Sequence, residues 1–249
     1  MNFAEVVFGA PEPPPIKRDA PLVVEDMVTE IAYHEASHFV IGILVLKLDL
    51  NFKPYQSIEI NVSVDAMTGV CKGMQPPIPQ EDQHKPGLDA LFFKEDKNRI
   101  FGKLFSVIVG YESYKVFIDD DKYFIGHTEL LNYKNTMWYY KLEHVLKRCT
   151  SKGSFIKDYY LVNKILGFGG YDSYEEKLEI VIRIQNDLKE LLNIQCVADS
   201  IRYVANALIE KNGSVIGDAE LEVITEKVKR NINKIPIMSY LNQYEVFES

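Results

Sequence analysis

Ile31-Ala32-Tyr33-His34-Glu35-Ala36-Ser37-His38, followed by the apolar run Phe39 to Leu46, is the stretch that organises the chain. It holds His-Glu-x-x-His within a helical pattern. At about 100° per residue, positions four apart lie about 40° apart around the helix axis, so His34 and His38 project from one face. Such a face can offer two imidazoles to one Zn²⁺, and Glu35, beside the first, can reach a water on the metal and act as general base. Small Ala36 and Ser37 separate the two histidines. The pattern points to a zinc hydrolase, with peptides as the leading substrate and a catalytic role for Glu35.

Working outward, a helix is expected from Pro21 to about Leu48, apolar almost all round from Phe39 on, as befits a helix that runs through a core. Ser57 to Val64 alternates apolar and polar residues, the period-two signature of a half-buried strand. Asp65 to Gly69 is expected to turn and Val70 to Met74 to return as a second strand, before Pro76, Pro77 and Pro79 end the pairing. Further helices are expected over 98–118, from about Thr128 into the 140s, over Tyr174 to Leu192, over Val197 to Lys211, and over 218–233. Gly167, Gly169, Gly170 and Gly213 mark turns.

The fold class expected is therefore α+β and mainly α-helical: a zinc-motif helix, a small β-hairpin and a C-terminal helical part. A proline-rich arm (1–20) precedes one domain (21–249), with the zinc site in 21–135 and a mainly helical part in 136–249. The 249 residues suffice for a sizeable core, and 47% hydrophobic with 26% charged residues is ordinary for a globular protein. A formal charge of −8 argues against binding nucleic acid or an anionic membrane.

Cys71, Cys149 and Cys196 are scattered and form no CxxC pair, which suggests separate reduced thiols. Met1 to Ala20 lacks the basic start and apolar run of a signal peptide. The apolar run Phe39 to Leu46 is far shorter than the roughly 18–20 residues of a spanning helix. A cytoplasmic protein without a membrane span is expected.

The motif and its surroundings also resemble a known family. Ala32-Tyr33-His34-Glu35-Ala36-Ser37-His38 is similar to the Ala-Tyr-His-Glu-Ala-Gly-His of the FtsH-type ATP-dependent zinc proteases, peptidase family M41. Thr68-Gly69-Val70-Cys71-Lys72-Gly73-Met74, followed by prolines, looks like the family's active-site hairpin. Val204-Ala205-Asn206-Ala207-Leu208-Ile209-Glu210, then Gly217 and Glu220-Leu221, is similar to its closing pattern. These motifs span about residues 21–230 in the family's order.

The resemblance implies zinc on His34 and His38, with Glu35 as base. It implies a third, acidic ligand in Ile125-Gly126-His127-Thr128-Glu129-Leu130: Glu129 when one residue is deleted from the alignment, with His127 in reserve. It also implies that the edge strand Gly69, Val70, Cys71, Lys72, Gly73 and Met74 binds an extended polypeptide substrate through its backbone. No GxxxxGK[ST] occurs, so a protease domain without its own ATPase module is expected, either served by a separate ATPase or assembled as a homo-oligomer. A different class of reading stays open: a catalytically degenerate protease-like domain that serves as a binding or scaffold module.

Overall fold

Helix α1 (Val24–Leu46) lies at the centre of the fold and packs against three other helices and the sheet. The computed structural model describes residues 24–46, 55–63, 67–72, 97–118, 161–162, 165–167, 170–171 and 173–244. Along α1, Ala32, Ala36, Phe39, Val40, Ile41 and Leu44 are fully buried. Consecutive buried positions 39–41 point in three directions, so the helix is enclosed rather than laid on a surface. The expectation of a core helix holds here.

The hairpin follows. Strand β1 (Ser57–Val62) buries Ile58, Ile60 and Val62 and turns Asn61 outward, as its alternation predicts. Strand β2 (Met67–Lys72) pairs with it antiparallel, in a register that sets Gly69 opposite Ile60 and Cys71 opposite Ile58. This corrects the expected hairpin. Met67, Thr68 and Gly69 belong to the second strand and not to the turn, because pairing begins at Met67 opposite Val62. Gly73 and Met74 lie outside the described residues, as do the arm, the proline-rich loop, and the expected helix from Thr128.

Helix α2 (Lys97–Phe117) has the most extensive contact with α1 and buries Ile100, Phe101, Leu104, Phe105 and Ile108. Helix α3 (Tyr174–Asn193) opens on a capping box. The Ser173 hydroxyl accepts from the Glu176 amide at 3.2 Å, and the Glu176 carboxylate accepts from the Ser173 amide at 3.1 Å. Extended Ile194 (φ −70°, ψ 121°) breaks the chain before helix α4 (Gln195–Glu210). Val197, Ile201, Val204, Ala205 and Leu208 form the buried stripe of α4, and it lies against α1.

A third strand, β3 (Val215–Gly217), joins the other side of β1, giving the order β2-β1-β3. Sequence reading missed it. Asn212 extends this junction by imitating a strand: its side-chain oxygen accepts from the Val62 amide and its side-chain nitrogen donates to the Val62 carbonyl, both at 2.9 Å. Gly213, at φ +83°, takes the left-handed turn that lets its own amide donate to the Ile60 carbonyl at 2.9 Å. Helix α5 (Asp218–Ile232) and the short helix α6 (Ile237–Leu241) complete the described chain.

Beyond α6, Tyr244 is fully buried. Its ring stacks on Phe101 at 4.7 Å and meets Phe105 edge-on at 5.9 Å. Its hydroxyl donates to Asp187 of α3 at 2.5 Å, and the Arg183 guanidinium lies 5.0 Å from its ring. The fold is thus mainly helical with one small antiparallel sheet, as expected. Among the described residues no helix is long and apolar enough to cross a membrane.

Candidate metal centre

His34, Glu35 and His38 lie in the middle of α1, where an unbroken helix fixes their spacing. His34 and Glu35 are each only 4% exposed, so both polar side chains are enclosed by protein. The Nε2 atoms of His34 and His38 lie 3.0 Å apart, with the rings nearly perpendicular at 89°. His38 Nδ1 is 2.5 Å from the Ser106 carbonyl oxygen of α2. A carbonyl accepts and cannot donate, so Nδ1 carries a proton, and Nε2 is the ring nitrogen that faces His34.

This geometry fits a metal. Two nitrogens bound to one tetrahedral zinc at about 2.0–2.1 Å lie about 3.3 Å apart, close to the 3.0 Å seen here. The Ser106 carbonyl is the kind of partner that orients a ligating histidine and fixes its tautomer. His34 and His38 would hold the ion through their Nε2 atoms. Among the described residues, no set of three His, Cys, Asp or Glu side chains converges as a metal site. Glu129 and His127, the expected third ligands, lie outside the described residues.

Glu35 Oε1 is 4.0 Å from His34 Nε2, adjacent to the imidazole but beyond hydrogen-bond length. Its side chain lies against Gly69 of β2. A methyl group on Gly69 would come within 2.5 Å of Glu35 Oε1 and 2.6 Å of its Cγ. The strand expected to hold substrate therefore passes directly over the expected base. β2 is an edge strand: β1 pairs with one side, and no strand among the described residues pairs with the other.

Cys71 also belongs to β2. Burial pushes its thiol well above the usual range, and the nearby Glu35 charge adds to this, so Cys71 is a neutral thiol and a poor nucleophile. Both it and Cys196 are free; Cys149 lies outside the described residues. Burial likewise raises the Tyr55 phenol, with Cys71 contributing. The Tyr55 hydroxyl donates to the His38 carbonyl at 2.9 Å and occupies the space a side chain on Gly42 would fill.

Tyr55, Ser106 and Gly110 were not singled out by sequence reading. A backbone carbonyl such as that of Ser106 leaves no mark in sequence. Gly110 did leave one, because glycine inside a helix is disfavoured by about 1 kcal/mol against alanine and often marks a close approach. Here the approach is to the two imidazoles themselves. Ser37, by contrast, is buried and satisfied locally, its hydroxyl donating to the Tyr33 carbonyl at 2.7 Å. No family model, curated protein or solved structure matches this chain.

Proposed function

We propose that this protein is a zinc-dependent endopeptidase of the FtsH-like type that hydrolyses peptide bonds in unfolded or flexible polypeptides. One observation carries the reading: two imidazole Nε2 atoms 3.0 Å apart, beside a buried carboxylate that lies under an edge strand. Zinc bound there supplies a Lewis acid that polarises a carbonyl and lowers the pKa of water to about 7.

The chain's own residues do the rest. His34 and His38 hold the ion, with Glu129, or His127 in its place, as third ligand. The Ser106 carbonyl keeps His38 in the tautomer that leaves Nε2 unprotonated. Glu35 takes a proton from the attacking water on a carboxylate oxygen and returns it to the leaving amine. β2 pairs with an extended substrate backbone, which tolerates many side chains. The protein acts in the cytoplasm, on flexible segments directly or on chains delivered by a separate ATPase.

Metal analysis of the purified protein should find one zinc per chain, and an unfolded casein substrate should be cut. Glu35→Gln should keep its zinc and lose about 10²–10⁴-fold in rate. Protein that carries no zinc, or a Glu35→Gln variant as active as wild type, would overturn the reading. Absence of zinc with retained partner binding would favour the degenerate scaffold instead.

A further inference from the structure

Two glycines on different elements face the His-Glu-x-x-His turn. Gly110 lies inside α2, where alanine is the better helix former. A Cβ there would overlap His34 Cε1 and lie 2.6 Å from both His34 Nδ1 and His38 Nε2. These are ring atoms, not the ends of flexible chains, so the rings must rotate or the helices must part. Gly69 lies inside β2, where glycine is equally out of place. A Cβ there would stand 2.5 Å from Glu35 Oε1, 2.6 Å from Glu35 Cγ and 2.8 Å from Ile31 Cγ2.

The missing side chain at 110 has a second effect. In an α-helix the carbonyl of one residue points toward the residue four further on. The Ser106 carbonyl therefore opens toward position 110, and a side chain there would crowd the path by which His38 Nδ1 reaches it. The same arrangement recurs on α1, where Tyr55 reaches the His38 carbonyl through the space left by Gly42.

We propose that Gly110 and Gly69 are positioning residues with separable duties. Gly110 seats the two imidazoles and the His38 tautomer; Gly69 seats the Glu35 carboxylate beneath the edge strand. The catalytic consequence rests on the zinc-peptidase reading, whereas the seating follows from sterics. Gly102 provides the comparison. It lies in the same helix and also faces α1, but its Cβ would meet Val45 Cβ at 3.3 Å, a contact that a small adjustment relieves.

The test uses the full chain with Gly110→Ala, Gly69→Ala and Gly102→Ala. Gly110→Ala should weaken zinc binding by about 10–100-fold. In metal-free protein it should also change the imidazole ¹⁵N shifts of His34 and His38. Gly69→Ala should bind zinc within about twofold of wild type, yet lose on the order of 10²-fold in kcat with KM held. Gly102→Ala should match wild type in both.

Wild-type shifts and zinc affinity in Gly110→Ala, wild-type kcat in Gly69→Ala, or equal damage from Gly102→Ala would each overturn the assignment. If wild type itself holds no zinc, the peptidase reading falls and the metal-free shifts decide: altered shifts in Gly110→Ala support the seating, unaltered ones overturn it. Should Gly110→Ala fail to fold, it is compared in a His34→Ala/His38→Ala background. Recovery of that parent's thermal midpoint supports a clash with the rings, and persistent unfolding overturns it.

Discussion

Helix α2 serves two clusters that are built in opposite ways. Toward α1 it presents Gly110 and the Ser106 carbonyl, and the neighbouring imidazoles fill the space that a side chain would have taken. Toward the C-terminus it presents Phe101 and Phe105, and Tyr244 fills the gap between them with bulk, tied by its hydroxyl to Asp187. The candidate site is shaped by side chains that are absent and the anchor by side chains that are large. Stability and chemistry are thereby assigned to different parts of one helix: enlarging a residue harms the first, and truncating one harms the second.

Tyr244→Ala should separate the two most strongly. Removing a fully buried aromatic ring typically destabilises by about 3–5 kcal/mol, and thermal or urea unfolding will read this. Folded Tyr244→Ala protein should still bind zinc normally, since the ring is held by Phe101, Phe105, Arg183 and Asp187; a large loss of affinity in the folded fraction would merge the two clusters into one.

A matched pair of smaller changes sharpens the contrast. Tyr55→Phe and Tyr244→Phe each delete one hydroxyl that donates to a protein acceptor, at a loss of about 1 kcal/mol each. Zinc titration should distinguish them. Tyr55→Phe frees the carbonyl of His38, a proposed ligand, and should weaken zinc binding several-fold, whereas Tyr244→Phe should leave it unchanged.

The smallest effect concerns pH. Burial, with the Asp187 hydrogen bond and charge adding to it, raises the Tyr244 phenol above the usual tyrosine range. A raised folded-state pKa means that the folded protein holds the proton more tightly than the unfolded chain. This contribution is complete below about pH 10 and is lost as pH rises toward the higher folded value. Tyr244→Phe should therefore flatten the alkaline limb of a stability–pH curve. An alkaline limb unchanged by the substitution would show that the phenol does not carry it.

Much of the fold was legible because its signals are local. The near-continuous burial of α1, the alternation of β1 and the stripe of α4 follow from periodicities within single segments. What escaped depends on distant partners. β3 is three residues long, too short to show a period, and becomes a strand because β1 offers it an edge. Tyr244 does not stand out from Tyr240 and Phe247 near the C-terminal end until Phe101 and Phe105 are set beside it.

Gly69 was read as a turn because that is where glycine most often serves. Here it stays in the strand to make room for Glu35. At the candidate site, the grouping of His34, Glu35 and His38 on one helix was legible from their spacing, whereas the residues that support them were not. Ser106 acts through its backbone, and Gly110 and Gly69 act through atoms they lack.

The three-stranded sheet has a consequence for the order in which the molecule comes into being. Val62 and the Asn212 side chain that clasps it are separated by 150 positions in the chain. A two-stranded hairpin alone is marginal in water. The strand that seats Glu35 therefore depends on β3 and Asn212 for its support, and these leave the ribosome long after the His-Glu-x-x-His motif. The motif is made early, but Glu35 acquires a fixed position only when the last third of the chain has folded back onto β1. A nascent chain of this kind carries the motif through most of synthesis without the framework that positions it.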